Sequence, residues 1–127
     1  EFPAIIDNYD TENDLASIAT SLELKTLKLS EYEPWPGYWV AAIGSADGYE
    51  GSVAFGNVLN GSKYEVLITV PLSHGNSGGP LVDNEGNVVG VNTYGPIKEQ
   101  YNVAMSLNAL CVKIMECEND LFWKVED

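Results

Sequence analysis

The run His74-Gly75-Asn76-Ser77-Gly78-Gly79-Pro80-Leu81-Val82 sets a serine among three glycines and closes on a proline. Glycine adopts backbone angles that other residues avoid, so such a stretch turns tightly and leaves N–H groups exposed. It can hold the Ser77 hydroxyl outward while neighbouring amides converge on one point. Acyl transfer needs both features, a nucleophile and donors for the oxygen that becomes negative. A serine hydroxyl also needs a base to take its proton. The single histidine of the chain is His74, three residues before Ser77 on the same loop.

Gly75–Gly79 also satisfies the Gly-x-Ser-x-Gly pattern of the α/β-hydrolase nucleophile elbow. That elbow requires a helix directly after the serine. Here Pro80-Leu81-Val82 runs into Asp83-Asn84-Glu85-Gly86, a turn, and then into the apolar, β-branched stretch 87–94. No histidine follows Ser77 either. The elbow is excluded.

The elements around the loop read as short strands. Leu15–Ala19 and Tyr38–Ile43 are apolar runs, and 52–59 and 63–70 flank Asn60-Gly61, the pair that suits a two-residue type I′ hairpin. Asn102–Met105 predicts a last strand. Only the end reads as helix: Ser106 is the expected N-cap, and Leu107, Leu110, Cys111, Ile114 and Met115 recur at helical spacing as a packing face. Short strands separated by Gly and Asn turns and closed by one helix predict an all-β barrel or sandwich. Cys111 and Cys117 lie six apart. On a continuous helix that is a rise of about 9 Å, too far for a disulfide, so two free thiols are expected.

The chain has 127 residues, 45% apolar and 20% charged, within reach of one compact core. Its net charge of −13 repels phosphates and anionic headgroups, so neither nucleic acid nor a membrane surface is an expected partner. No segment approaches the ~18 consecutive apolar residues of a spanning helix.

The serine string resembles the corresponding loop of the chymotrypsin/trypsin family, in particular its HtrA (Do-like) bacterial branch. Asn13-Asp14-Leu15-Ala16 resembles the stretch that bears the family's aspartate. Residues 37–52 resemble the first hairpin region of the second barrel, and 87–93 resemble the strand lining the cleft. The resemblance spans roughly residues 10 to 116. It implies a chymotrypsin-like antiparallel β-barrel with a C-terminal helix, the first barrel largely missing. Residues 1–20 would be the end of that first barrel, 21–36 the connection, and 37–127 the second barrel. It further implies Ser77 as nucleophile, the Gly75 and Ser77 amides as the oxyanion hole, and Asp14 as the residue that orients the general base. Asp7, Asp10 and Glu12 compete with Asp14 for that role. Thr93, Tyr94 and Gly95 would pair with substrate backbone as an added strand. Pro71, with Leu72 after it, takes the position where enzymes of basic preference hold an acid, so small or medium apolar side chains are expected before the scissile bond. No metal or organic cofactor is implied.

In the family fold the base comes from the other barrel, well before the aspartate. His74 therefore reads as a rim residue of the substrate pocket. Three readings remain: part of an active endopeptidase acting on peptide or protein, an inactive homologue that binds peptides, and an enzyme using His74 in a new geometry. In the first two this polypeptide alone is nearly inert. A lone strand at 15–19 would expose apolar side chains and unpaired backbone. It is expected to pair with the missing N-terminal half, with another copy, or with the second barrel in a way foreign to the family.

Overall fold

A computed structural model describes residues 3–93, 101–115 and 117. Two strands open the chain, β1 (Ala4–Asp10) and β2 (Leu15–Thr20). Six more follow: β3 (Trp39–Gly44), β4 (Ser52–Gly61), β5 (Glu65–Ile68), β6 (Pro80–Val82), β7 (Val88–Asn92) and β8 (Asn102–Ser106). One helix, α1 (Leu107–Lys113), comes after them. The six strands close into an antiparallel barrel in the order β3-β4-β5-β8-β7-β6, with β6 pairing back onto β3. This is the barrel and C-terminal helix expected from the sequence.

Period-two patterning builds the barrel, because alternate side chains of a strand point to opposite faces. In β4, Val53, Phe55 and Asn57 are exposed while their neighbours turn inward. The interior is filled by Val40, Ala42, Val58, Ile68, Val70, Leu81 and Val89, each at most 2% exposed. The residues before β3 seal one side: Leu29 bridges Val88, with Val88 N–H donating to Lys28 O and Ser30 N–H to Val88 O, both at 2.8 Å.

Two local expectations are corrected. The Asn60-Gly61 pair is not the hairpin turn. A bulge between Val58 and Asn60 carries both residues into the ladder, where Gly61 pairs with Val66. The turn moves to residues 62–64, closed by Ser62 N–H donating to Glu65 O and Glu65 N–H donating to Ser62 Oγ. The cysteines are also not free: Cys111 and Cys117 form a disulfide, with Cα atoms 5.4 Å apart. The separation argument assumed one continuous helix, but α1 ends at Lys113, and Cys117 lies beyond it. Ser106 is the N-cap, as expected: its Oγ accepts from Ala109 N–H and donates to Lys63 O, tying the helix start to the 62–64 turn.

The segment 15–19 is not a lone strand. β1 pairs with β2 along its length, with a bulge between Ile6 and Asn8, and makes a separate two-stranded sheet. The apolar run at residues 4–6 was the overlooked signal. Such a hairpin is marginal alone, and it is anchored by Leu15, which packs with Val103, Met105, Ala109 and Ile114. Its other large apolar side chains stay open to solvent, with Ile5 73%, Ile6 64% and Ile18 61% exposed.

Leu81→Ala removes a fully buried side chain beside the serine loop and is expected to cost about 2–5 kcal/mol, read from urea denaturation. Unreduced, denatured protein is expected to give no reaction with a thiol reagent, and two thiols after reduction.

Candidate active site

Before β6, residues 73–79 form a loop with almost no side-chain interior. His74, Gly75, Ser77 and Gly78 are exposed, whereas Asn76 is 2% exposed. The loop closes on itself through Asn76 N–H to Ser73 O at 3.1 Å and Gly79 N–H to Asn76 O at 3.0 Å. On one side it meets the chain leaving β3, where Ser45 N–H donates to Gly75 O and Asp47 N–H to His74 O. On the other it meets β7 through Gly78 N–H to Asn92 O and Asn92 N–H to Gly79 O. A Cβ on Gly79 would collide with the Ile43 carbonyl, so strand and loop can approach this closely only at glycine.

Ser77 thus sits on an exposed crest whose backbone is fixed from both flanks. Among the described residues no carbonyl accepts from the Gly75 or Ser77 amide. Two main-chain donors beside an exposed hydroxyl form the arrangement that can stabilise an oxyanion.

Asp14 lies elsewhere, as the last residue of the turn joining β1 to β2. It is exposed and takes a left-handed conformation with φ 54°. The turn is ordered from within. Asn13, 8% exposed, donates to the Asp10 carboxylate, and Glu12 N–H donates to the same group at 3.1 Å. The Asn13 side-chain bond is the first cause holding the Asp10 carboxyl below its usual value. Desolvation opposes it as the next largest effect, and the backbone donors of Asn13 and Glu12 and the charge of Lys113 add smaller lowering contributions. Asp10 is therefore engaged locally, while Asp7, Glu12 and Asp14 are all exposed. The Asp14 turn and the serine loop approach the same strand pair: Leu15 packs on β8, while the loop bonds to β7 at Asn92, which pairs with Ala104 of β8.

Of the remaining expected site residues, Thr93 is 7% exposed, and both its amide and its hydroxyl bond the Val103 carbonyl, at 3.1 and 2.8 Å. Tyr94 and Gly95 lie outside the described residues. Pro71 is exposed, and Leu72 packs partly against the barrel core. Sequence reasoning passed over Asn76 and Asn92. Their Oδ1 atoms are buried and accept no hydrogen bond from the described residues, although Asn92 Nδ2 donates to Pro80 O at 3.0 Å. It also passed over residues 45–47, whose Asp47-Gly48 pair was legible as a turn but not as a support for the loop.

The model of the trypsin-like peptidase domain family matches residues 1–91. The chain belongs to that family. Curated relatives include a probable periplasmic serine endoprotease DegP-like from Halomonas elongata, 37% identical over 103 residues, covering 73% of this chain and 22% of the relative. A putative protease Do-like 14 from Arabidopsis thaliana is 35% identical, with 72% and 25% covered. The anti-sigma-I factor RsgI9 of Acetivibrio thermocellus is 28% identical, covering 94% of this chain and 18% of its own length. The trypsin-like peptidase chain thus spans about a fifth to a quarter of these relatives. Among solved structures, Rv3671c from M. tuberculosis in an inactive form superposes with a TM-score of 0.76 at 21% identity, over 88% of this chain and 63% of the other. The HtrA-type resemblance read from the serine string is therefore met by the DegP-like and Do-like relatives, and the superposition shows the shared fold.

Because the Asp10 carboxyl is depressed, its bonds stabilise the turn above the ordinary aspartate value of about 3.9 and are lost as pH falls through the lower folded value. Asn13→Ala is expected to raise the Asp10 titration toward that ordinary value, followed by NMR of its carboxyl carbon.

Proposed function

We propose that this chain carries the nucleophile half of a serine endopeptidase that cleaves peptide bonds through an acyl-enzyme on Ser77. The observation that supports it is the exposed Ser77 beside two amides to which, among the described residues, no carbonyl is bonded. In this reading a base takes the proton from Oγ as the oxygen bonds to the scissile carbonyl carbon. The Gly75 and Ser77 N–H groups receive the negative oxygen. The carbon–nitrogen bond then breaks, the amine leaves with that proton, and water releases the acyl group by the same path. Asp14 orients the base and stabilises its charged form. Residues 1–20 are the end of a first barrel, 21–36 the connection, and 37–127 the second barrel with its helix. Thr93, Tyr94 and Gly95 pair with the peptide backbone, and Pro71, Leu72 and His74 border an uncharged pocket. No cofactor takes part.

The base itself has to come from outside these 127 residues. His74 is on the serine's own loop, and its carbonyl accepts from Asp47 N–H, which supports reading it as a rim residue. The same observation supports a second reading, a protease-like domain that binds a peptide or protein without cutting it. That a relative matching nearly the whole chain is named an anti-sigma factor favours this alternative.

A fluorophosphonate probe separates the two. The 127-residue chain alone is expected to label slowly, because losing one triad member leaves only about 10³–10⁴-fold acceleration over water. The longer polypeptide that includes the residues encoded upstream is expected to label stoichiometrically at Ser77, and Ser77→Ala to abolish the signal. A folded longer protein that takes up no probe supports the binding domain instead.

A further inference from the structure

The connection before β3 and the turn between β6 and β7 enclose a pocket of about 300 Å³. It lies at the far end of β6 from Ser77, because the serine loop leads into Pro80 whereas the Asp83–Gly86 turn follows Val82. Pro34 and Val89, both buried, line it together with Tyr32 and Tyr38, both exposed. Three carboxylates, Glu31, Asp83 and Glu85, share the lining with one ammonium, Lys28.

Main-chain bonds fix these walls before anything binds. Ser30 N–H donates to Val88 O and Val88 N–H to Lys28 O, both at 2.8 Å. Ser30 Oγ accepts from Tyr32 N–H and donates to Tyr32 O. Val58 N–H holds Tyr38 O at 2.9 Å, and Asp83 Oδ1 accepts from the Glu85 and Asn87 amides. A preformed site has little ordering left to do when it is filled.

The lining selects its occupant. Its excess of carboxylates repels phosphate and other anions. Among the described residues no three His, Cys, Asp or Glu side chains converge as a metal ion requires. An organic cation with a flat head and an apolar stem remains. Guanidinium stacks on tyrosine and pairs with carboxylates, and its methylenes follow apolar surface. The volume is at the low end for ligand pockets, room for one long side chain. The surroundings point to a protein as its carrier: Tyr32, Trp35, Tyr38 and Trp39 are between 43% and 57% exposed, and such clustered aromatic surface marks contact sites. We propose that this pocket is an exosite for an arginine side chain of a protein partner. It holds that partner without covering Ser77, and it does not depend on Ser77 being a nucleophile.

The test uses the longer polypeptide and the peptide acetyl-Ala-Ala-Arg-Ala-Ala-amide, titrated to millimolar concentration and followed by amide NMR shifts. A second peptide carries citrulline, which keeps the shape of arginine without its charge. The arginine peptide is expected to give saturable shifts centred on Ser30, Asn84 and Val89, and the citrulline peptide none. Glu85→Lys and Tyr32→Ala, each checked for native fold by circular dichroism, are expected to weaken binding about fivefold or more. If Tyr32→Ala fails to fold, the exposed turn variant Glu85→Lys decides alone. Saturating arginine peptide is expected to leave fluorophosphonate labelling at Ser77 unchanged. No saturable shift, shifts spread over the acidic surface, equal binding of citrulline, or variants that bind as the wild type does each overturn the exosite. So does a peptide that slows labelling, since it then occupies the cleft. A polypeptide that never labels but shows the expected shifts loses the nucleophile reading and keeps the exosite.

Discussion

The serine loop has no hydrophobic interior of its own, so its shape depends on main chain lying directly against main chain. Gly79 abuts the Ile43 carbonyl and Gly75 the Ser45 carbonyl, at separations no Cβ permits. Hydrogen bonds from Ser45 and Asp47 on one flank, and with Asn92 on the other, hold the backbone between two barrel strands. Packing of this kind transmits position without the slack of long side chains. The barrel core, with Leu81 and Val89 behind the loop, acts as the rigid platform from which these contacts are made.

Two asparagines flank this clamp. Asn76, the residue before Ser77, is 2% exposed, and Asn92 bonds Gly78 and Gly79 through its backbone and Pro80 O through Nδ2.

The barrel was legible because its signals are local. Alternating apolar residues, the Asp83–Gly86 turn and the Ser106 cap each act within a few positions, and the serine string carries its conformation in its glycines. Errors arose where distant contacts decide the outcome. A bulge before Asn60 overrode an Asn-Gly turn signal, and the early end of α1 brought two cysteines together that helical spacing kept apart. β1 was overlooked because its apolar residues are followed by polar Asp7 and Asn8 and it borders no obvious turn. The support given by residues 45–47 leaves no trace in composition, since it consists of backbone amides that every sequence possesses. Asp14 was readable as a candidate through resemblance alone; the structure puts it, exposed, at the end of the β1–β2 turn.

Within the β1–β2 hairpin and its turn, only Asn13 and Leu15 are buried among residues 3–20. Leu15 and the long Asn8 Nδ2 bond to Ile114 O, at 3.4 Å, tie it to the rest of the molecule. Few buried contacts make a separate cooperative unit, able to open well below the free energy of global unfolding. Ser77 and Asp14 therefore belong to different tiers of stability: the serine loop is braced by barrel strands, whereas the Asp14 turn rides on a hairpin with few buried contacts. Any contact that covers Ile5, Ile6 and Ile18 in the folded hairpin alone would raise the lower tier by mass action.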